Sequence, residues 1–212
     1  MNAPRPTRKF NPHLHIYNKF NTVPSDEPQE KQSLPIEVPR HPADELSLIC
    51  ELSNGAKLYL SGYTLLSKKE SLSNHNITYV LNCAREISDS NHQNITYKRL
   101  EMDDVPMFNL KTVLLDGMIF IAEALHAGHN VLVHCVMGIS RSTSLVLAYM
   151  MTFHNLSYVQ SYRIVKAHRP RINPNIGFVS CLERYDKGLI RNGIPVSPHS
   201  LVNLPRINFS KS

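Results

Sequence analysis

Hydrophobic positions recur with two different periods along the middle of the chain. Short apolar or alternating runs predict strands at "KLYLSG" (57–62), "ITYVLNC" (77–83), "TYKRLEM" (96–102) and "NVLVH" (130–134). Longer stretches with apolar residues at helical spacing predict helices over 110–128, 140–155, 156–169 and 174–189. Because strands and helices alternate, we predict an α/β fold: a central, mostly parallel sheet of about five strands, flanked by helices.

The two ends of the chain lack this periodicity. Residues 1–45 hold eight of the 14 prolines, and residues 1–20 carry basic side chains and no acidic one. We therefore predict a disordered, Pro-rich, basic N-terminal tail over 1–45, a folded domain over 46–190 and a flexible C-terminal tail over 191–212.

Charge and cysteine usage narrow the classes of partner. Most of the net charge of +6 lies in residues 1–20 and 191–212, so the middle is nearly neutral and shows no basic face of the kind that binds nucleic acid. No apolar run has the length of a membrane span, and we expect no membrane association. The sequence shows no signal peptide, and its four cysteines are widely spaced, so we expect free thiols and a cytoplasmic or nuclear location.

The segment "HCVMGISRS" (134–142) joins a predicted buried strand to a predicted helix. Backbone N–H groups converge at such a junction and form a site for a tetrahedral oxyanion, which Gly138 allows and the fork of Arg141 complements. The same positive field favours the thiolate of Cys135, the form that acts as a nucleophile. Ser142 can donate to that sulfur, and we expect the ring nitrogens of His134 to orient the loop.

A cysteinyl-phosphate route also needs a proton donor for the leaving oxygen. "EMDDVPMF" supplies Asp103 and Asp104 just after the third predicted strand. From spacing alone, either one is a candidate donor or an ordinary solvated carboxylate.

"HCVMGISRS" resembles the phosphate-binding loop of the cysteine-dependent protein tyrosine phosphatases, and its "ISRS" ending is similar to the dual-specificity branch. The resemblance covers about residues 46–190. Five more stretches are similar to the corresponding stretches of the small atypical dual-specificity phosphatases: "LYLSG", "ITYVLNCA", "YKRLEMDDVP", "RSTSLVLAYMM" and "RPRINPNIGF". It implies a catalytic domain whose phosphate-binding loop joins a central strand to a helix, with no cofactor and no metal.

The resemblance also assigns roles to individual residues. It implies Cys135 as nucleophile, Arg141 as phosphate clamp, Asp104 as general acid and then base, and Ser142 as the group that stabilises the thiolate. Arg169 and Asn173 would lie in a loop near the rim of the active site, as supporting residues and not as catalysts. The residues implied in substrate binding are those of the loop itself: His134, Val136, Met137, Gly138, Ile139 and Ser140.

The variable loop positions bear on the substrate. Val136, Met137 and Ile139 add no charge for an inositol headgroup or an RNA triphosphate, so we expect phosphoproteins. The chain shows no counterpart of the loop that deepens the pocket of tyrosine-only phosphatases, which favours both phosphotyrosine and phosphoserine or phosphothreonine. The alternatives are a phosphoprotein-binding module with little turnover and, less favoured, a phosphoinositide or RNA phosphatase.

Cys83 and the segment "RKFNPHLHI" each allow two interpretations. Cys83 is either a core cysteine or a resolving thiol that traps oxidised Cys135 as a disulfide. "RKFNPHLHI" is either part of a basic tail or a docking motif for mitogen-activated protein kinases, which would use Arg8, Lys9, Leu14 and Ile16.

Overall fold

The computed structural model describes residues 46–67, 69–90 and 92–192. The predicted N-terminal tail, its docking motif, and the C-terminal tail beyond Asn192 lie outside these ranges. In chain order the elements are β1 (Ser47–Glu51), β2 (Lys57–Gly62), a 3₁₀ helix (Tyr63–Ser67), α1 (Lys69–Asn74), β3 (Ile77–Asn82), β4 (Thr96–Arg99), α2 (Lys111–His126), β5 (Asn130–Cys135), α3 (Arg141–Phe153), α4 (Tyr158–His168) and α5 (Ile176–Asn192).

The strands form one five-stranded sheet in the order β1-β2-β5-β3-β4. Strand β5 pairs in parallel with β2 on one side and β3 on the other, and β4 continues the parallel sheet beyond β3. Only β1, at the edge, is antiparallel to its neighbour. The carboxyl end of β5 therefore lies between the carboxyl ends of β2 and β3, where open α/β sheets place their ligand sites.

Alternation along β5 divides its side chains between two cores. Leu132 belongs to a buried cluster with Tyr59 and Val80, which the 3₁₀ helix and α1 cover. Its neighbours Val131 and Val133 are fully buried and point to the opposite face of the sheet. The same alternation places Cys135 on the face of Val133, and His134 on the face of Leu132.

Helix α3 packs at the centre of the domain, against the sheet and against α2, α4 and α5. Every residue from Arg141 to Thr152 is buried, which fits a helix that has no solvated face. Its N-terminus is therefore held from several sides.

Most predicted elements are confirmed within a few residues, and β2 matches its prediction at both ends. Strand β1, the 3₁₀ helix and α1 were not predicted, and β4 ends three residues before the predicted Met102. Helix α5 continues to Asn192, two residues past the predicted domain boundary. None of the helices in the described ranges combines the length and apolar character that a membrane span requires.

Candidate active site

The loop between β5 and α3, here called the Cys135 loop (residues 135–141), leads into the helix at Arg141. Ser140 occupies the N-cap position but makes no side-chain hydrogen bond to its own helix, and its hydroxyl donates instead to Asp104 Oδ1 at 2.6 Å. The first N–H groups of a helix lack partners within the helix and carry partial positive charge. Because Ser140 does not cap them, it leaves the start of α3 open to an anion.

Arg169 binds the outside of the Cys135 loop. Its Nη2 donates to the Met137 carbonyl at 3.0 Å and its Nε to the Gly138 carbonyl at 2.7 Å, while Nη1 donates to Ser47 Oγ at 3.2 Å. The side chain is fully buried. In a planar trans peptide the N–H points opposite the C=O, so these bonds also fix where the next two N–H groups of the loop point.

Two backbone donors complete this support. The N–H of Tyr63 donates to the Val136 carbonyl at 3.1 Å, and the N–H of Asn173 donates to the Ile139 carbonyl at 2.9 Å. Together with the two bonds of Arg169, they bind every carbonyl from 136 to 139 on the outer side of the loop. Arg169, through its side chain, and Asn173, through its backbone N–H, therefore both support the Cys135 loop.

Gly138 meets two separate requirements of the loop. Its φ of +65° lies in the left-handed region, which side chains disfavour. A Cβ at this position would also stand 2.4 Å from the Ser61 carbonyl oxygen and 2.8 Å from Arg169 Nη2. No other residue fits here without moving either β2 or Arg169.

Cys135 lies at the bottom of the loop and is 2% exposed. Its sulfur accepts hydrogen bonds from the Gly138 N–H and from the Ser142 hydroxyl, both at 3.2 Å. Both donors stabilise a negative charge on the sulfur, and the second is the contact predicted for Ser142.

Arg141 is held by Glu86, which follows β3. Its Nη1 and Nη2 donate to the two Glu86 carboxylate oxygens at 2.6 and 2.8 Å, and Nη1 also donates to the Met102 carbonyl at 3.1 Å. Nε makes no hydrogen bond within the described residues, and lies 3.9 Å from Asp104 Oδ2. The guanidinium is thus fixed along one edge, while its Nε faces the general-acid candidate.

The charges of this pair stabilise each other. The bidentate bond from Arg141 lowers the pKa of Glu86. Burial opposes the charge of Arg141, but its bond to Glu86 and the nearby Cys135 and Asp104 outweigh that effect, so its pKa is raised. Arg141 is therefore held in its charged form.

Of the two acidic candidates, Asp104 is the one at the site. Besides the bond from Ser140, its Oδ1 accepts one from Asn175 Nδ2 at 2.8 Å. Asn175 also caps α5, because its Oδ1 accepts from the Phe178 N–H at 3.0 Å. Asp103 turns away and pairs with Arg85 Nε at 3.2 Å.

His134 differs from the prediction. Its side chain is fully buried on the opposite face of the sheet from Cys135, and neither ring nitrogen makes a hydrogen bond of good geometry to a described residue. Burial lowers its pKa to about 4, with small opposing effects from the Cys135 backbone and Asp89. His134 is therefore a neutral, fully buried packing residue, and its ring makes no hydrogen bond of good geometry to a described residue that would orient the loop.

Cys83 follows β3 beside Cys135. Asn82 pairs with His134 in the parallel register, and the Cys83 N–H donates to the His134 carbonyl at 2.8 Å, so the two cysteines continue the same register. Burial raises the pKa of Cys83 well above its usual value, and the charge of Cys135 adds to this effect. Cys83 is thus a protonated neighbour of the nucleophile.

Sequence reasoning missed Glu86 and the roles of Ser140 and Asn175. Glu86 lies just beyond the carboxyl end of β3, and the edge-of-sheet argument that singled out Asp104 applies to it equally. Asn175 stands where an N-cap is expected before α5, but no local pattern indicates that its Nδ2 also donates to Asp104. Within the described ranges, no group of three or more His, Cys, Asp or Glu side chains is placed to hold a metal ion.

Comparison with known families agrees with this geometry. Residues 58–188 match the family model of the dual specificity phosphatase catalytic domain. The chain belongs to this family. The match includes both the Cys135 loop and the segment that carries Asp104, so the predicted kinship is confirmed.

Individual relatives point the same way. Dual specificity protein phosphatase 1 of Arabidopsis thaliana is 34% identical, over 62% of this chain and 67% of that protein. A probable rhodanese domain-containing dual specificity protein phosphatase of Dictyostelium discoideum is 38% identical over 62% of this chain. The matched region is 28% of the length of that protein. The crystal structure of DUSP15 superposes with a TM-score of 0.62 at 30% identity, over 73% of this chain and 94% of that one, which confirms the predicted fold class.

Proposed function

We propose that this chain is an active dual-specificity protein phosphatase that hydrolyses phosphotyrosine and phosphoserine or phosphothreonine through a cysteinyl-phosphate. One observation carries the proposal. Cys135, the Nε of Arg141 and Asp104 converge where every carbonyl from 136 to 139 is bound on the outer side, so the loop N–H groups are left to face a phosphate.

In the first step the Cys135 thiolate attacks phosphorus. An S–P bond forms and the bond from phosphorus to the leaving oxygen breaks. The loop N–H groups and Arg141 hold the non-bridging oxygens, whose charge is spread in the transition state. Asp104 donates a proton to the leaving oxygen, so the product departs as a neutral alcohol or phenol.

In the second step water attacks the cysteinyl-phosphate. Asp104, now a carboxylate, takes a proton from that water as the new P–O bond forms and the S–P bond breaks. The electron pair returns to the Cys135 sulfur, where the Gly138 N–H and the Ser142 hydroxyl stabilise it. Inorganic phosphate then leaves and the thiolate is regenerated.

Hydrolysis of a small aryl phosphate tests this proposal. Cys135→Ser should reduce the rate to background, because a hydroxyl lacks the thiolate's nucleophilicity. Asp104→Asn should lower kcat by roughly a hundredfold, the usual size of a general-acid contribution, and more for substrates with poor leaving groups. Asp103→Asn is the matched control and should change the rate by less than about threefold. A wild-type rate at background would favour the phosphoprotein-binding module instead.

The substrate class follows from the uncharged loop. Val136, Met137 and Ile139 are half-buried and contribute no cation for a polyanionic headgroup. A panel of phosphopeptides, an inositol phospholipid and a triphosphorylated RNA distinguishes the classes. Preferred turnover of the lipid or the RNA would contradict a phosphoprotein substrate.

The partner and location remain proposals from sequence. Docking of mitogen-activated protein kinases through Arg8, Lys9, Leu14 and Ile16 rests on the pattern of these residues, which lie outside the described ranges. Capture of such kinases should weaken when residues 1–20 are deleted, and unchanged capture would remove the idea. The free-thiol composition supports a cytoplasmic or nuclear location, which imaging of the full chain tests.

A further inference from the structure

The general-acid segment and the start of α5 lie side by side. Three successive contacts hold residues 104–108 against residues 175–178. They join the side chains of Asp104 and Asn175, the backbones of Pro106 and Gly177, and the rings of Phe108 and Phe178, whose centroids are 6.2 Å apart. A Cβ on Gly177 would stand 1.9 Å from the Pro106 carbonyl oxygen, so the two backbones approach as closely as glycine allows.

This pairing leaves the intervening side chains without cover. Val105 and Met107 alternate with the contacting residues 104, 106 and 108, and Ile176 lies between Asn175 and Gly177. Val105 is 48% exposed, Ile176 69% and Met107 91%. We call these three residues the apolar rim. Val105 follows Asp104 in the chain, and Ile176 follows Asn175, so two rim residues are next to the hydrogen-bonded pair at the catalytic site.

Exposed apolar side chains concentrate at the site. Seven large hydrophobic residues in the described ranges are exposed, and the apolar rim accounts for three of them. A fourth, Tyr63, adjoins the Cys135 loop from the other side, because its N–H binds the Val136 carbonyl. Large side chains left in water around a catalytic pocket are typical of a surface that binds part of a ligand.

The apolar rim is also uncharged. Of the two acidic residues just before it in the chain, Asp103 pairs with Arg85 Nε at 3.2 Å, and Asp104 serves the catalytic site. Arg141 is buried and bound by Glu86. The rim therefore offers hydrophobic contact to a substrate and no salt bridge of its own.

We propose that the apolar rim binds an apolar side chain of the substrate protein, one or two residues from the phosphorylated residue. This inference rests on the proposed function, because it places the phosphate in the Cys135 loop. An extended peptide advances about 3.3 Å per residue. A substrate side chain one or two residues from the phosphorylated residue can therefore reach the apolar rim, which begins next to Asp104. The enzyme then selects phosphosites with apolar neighbours over phosphosites with acidic ones.

Phosphopeptides that differ at one position test the proposal. Leu or Asp is placed in turn at the two positions before and the two positions after the phosphorylated residue, and kcat/KM is measured for each peptide. We expect Leu to exceed Asp by roughly tenfold at one position at least, the effect of burying one aliphatic side chain. In the double variant Met107→Ser and Ile176→Ser the ratio should fall to about twofold or less.

Two controls separate the possible outcomes. Val159→Ser removes a similarly exposed side chain on α4 and should leave the ratio unchanged. A small aryl phosphate, which cannot reach the rim, should be hydrolysed equally by all three proteins, which also reports that each is folded. If the wild-type protein fails on the aryl phosphate, the proposed function fails. If it succeeds there but shows no preference for Leu, or if the double variant keeps that preference, the apolar rim is not a substrate-binding surface.

Discussion

The floor of the active site is held by residues that surround it, whereas the apolar rim stands on two segments that hold each other. The floor is the Cys135 loop, whose carbonyls are bound by Tyr63, Arg169 and Asn173. The apolar rim is Val105, Met107 and Ile176, which the paired segments 104–108 and 175–178 leave exposed. The floor presents backbone N–H groups, and the rim presents side chains.

This difference assigns turnover to the floor and selection among substrates to the apolar rim. A phosphate looks the same on every substrate, so a rigid floor built from backbone and one arginine can serve all of them. The residues around the phosphate differ between substrates, and a rim of exposed side chains can change without disturbing the chemistry. We therefore expect changes at the floor to reduce turnover of all substrates, and changes at the rim to alter selection among them.

Among changes that keep the nucleophile and the general acid, Arg141→Lys should have the largest effect. A lysine keeps the charge but loses the planar fork that binds Glu86 along one edge and presents Nε along the other. We expect kcat/KM for an aryl phosphate to fall about a hundredfold. Arg85→Lys is the control, since the Arg85 side chain is 54% exposed and its ion pair is with Asp103. Equal activity of the two variants would show that the fork geometry of Arg141 is not required.

Arg169→Met tests whether the floor depends on its outer support. Methionine has a similar volume but removes the Arg169 donor from the carbonyls of Met137 and Gly138. The second carbonyl keeps only its longer bond from Thr143 Oγ1 at 3.5 Å, so the loop N–H groups lose much of what fixes their direction. We expect about a tenfold rise in the inhibition constant of vanadate, together with a similar loss of turnover. Arg171→Met, two residues away, serves as control. Normal vanadate binding in a folded Arg169→Met protein would contradict the orienting role.

Local sequence predicted the centre of the site, and the tertiary fold supplied the remainder. Cys135, Arg141 and Ser142 lie within eight residues of one another, so one strand-to-helix junction was enough to assign them. Glu86 and Asn175 act on Arg141 and Asp104 across 55 and 71 residues, and no local pattern encodes such pairs. Strand β1 was missed because it is a short edge strand with only alternate residues buried.

Asn175→Ser releases the general acid and leaves the helix intact. Serine can still cap α5, but it is too short to reach Asp104, which then keeps only the bond from Ser140. We expect kcat to fall about fivefold to tenfold for alkyl phosphates, which have poor leaving groups, and less for aryl phosphates. Asn173→Ala is the control, because Asn173 contributes its backbone N–H and its side chain is exposed. An equal loss on both substrates would mean that Asn175 shapes the pocket and does not position the acid.

Cys83→Ala should have the smallest effect on basal turnover, within about twofold, because no catalytic step uses this buried thiol. Its effect should appear after oxidation. Peroxide converts the Cys135 thiolate to a sulfenic acid, and the Cys83 sulfur can then attack that sulfur, releasing water and forming a disulfide. The parallel register places the two Cα atoms about 5 Å apart, within the range that disulfides span.

Recovery with a thiol reductant decides between the two interpretations of Cys83. The wild-type protein should regain most of its activity, while Cys83→Ala should not, since its sulfenic acid is oxidised further to forms that thiols do not reduce. Cys181→Ala is the matched control, because Cys181 is also buried, within α5. Burial raises the pKa of Cys83 and keeps this thiol protonated, so we expect oxidation to begin at Cys135. Equal recovery of all three proteins, with no peptide linking residues 83 and 135, would leave Cys83 as part of the core alone.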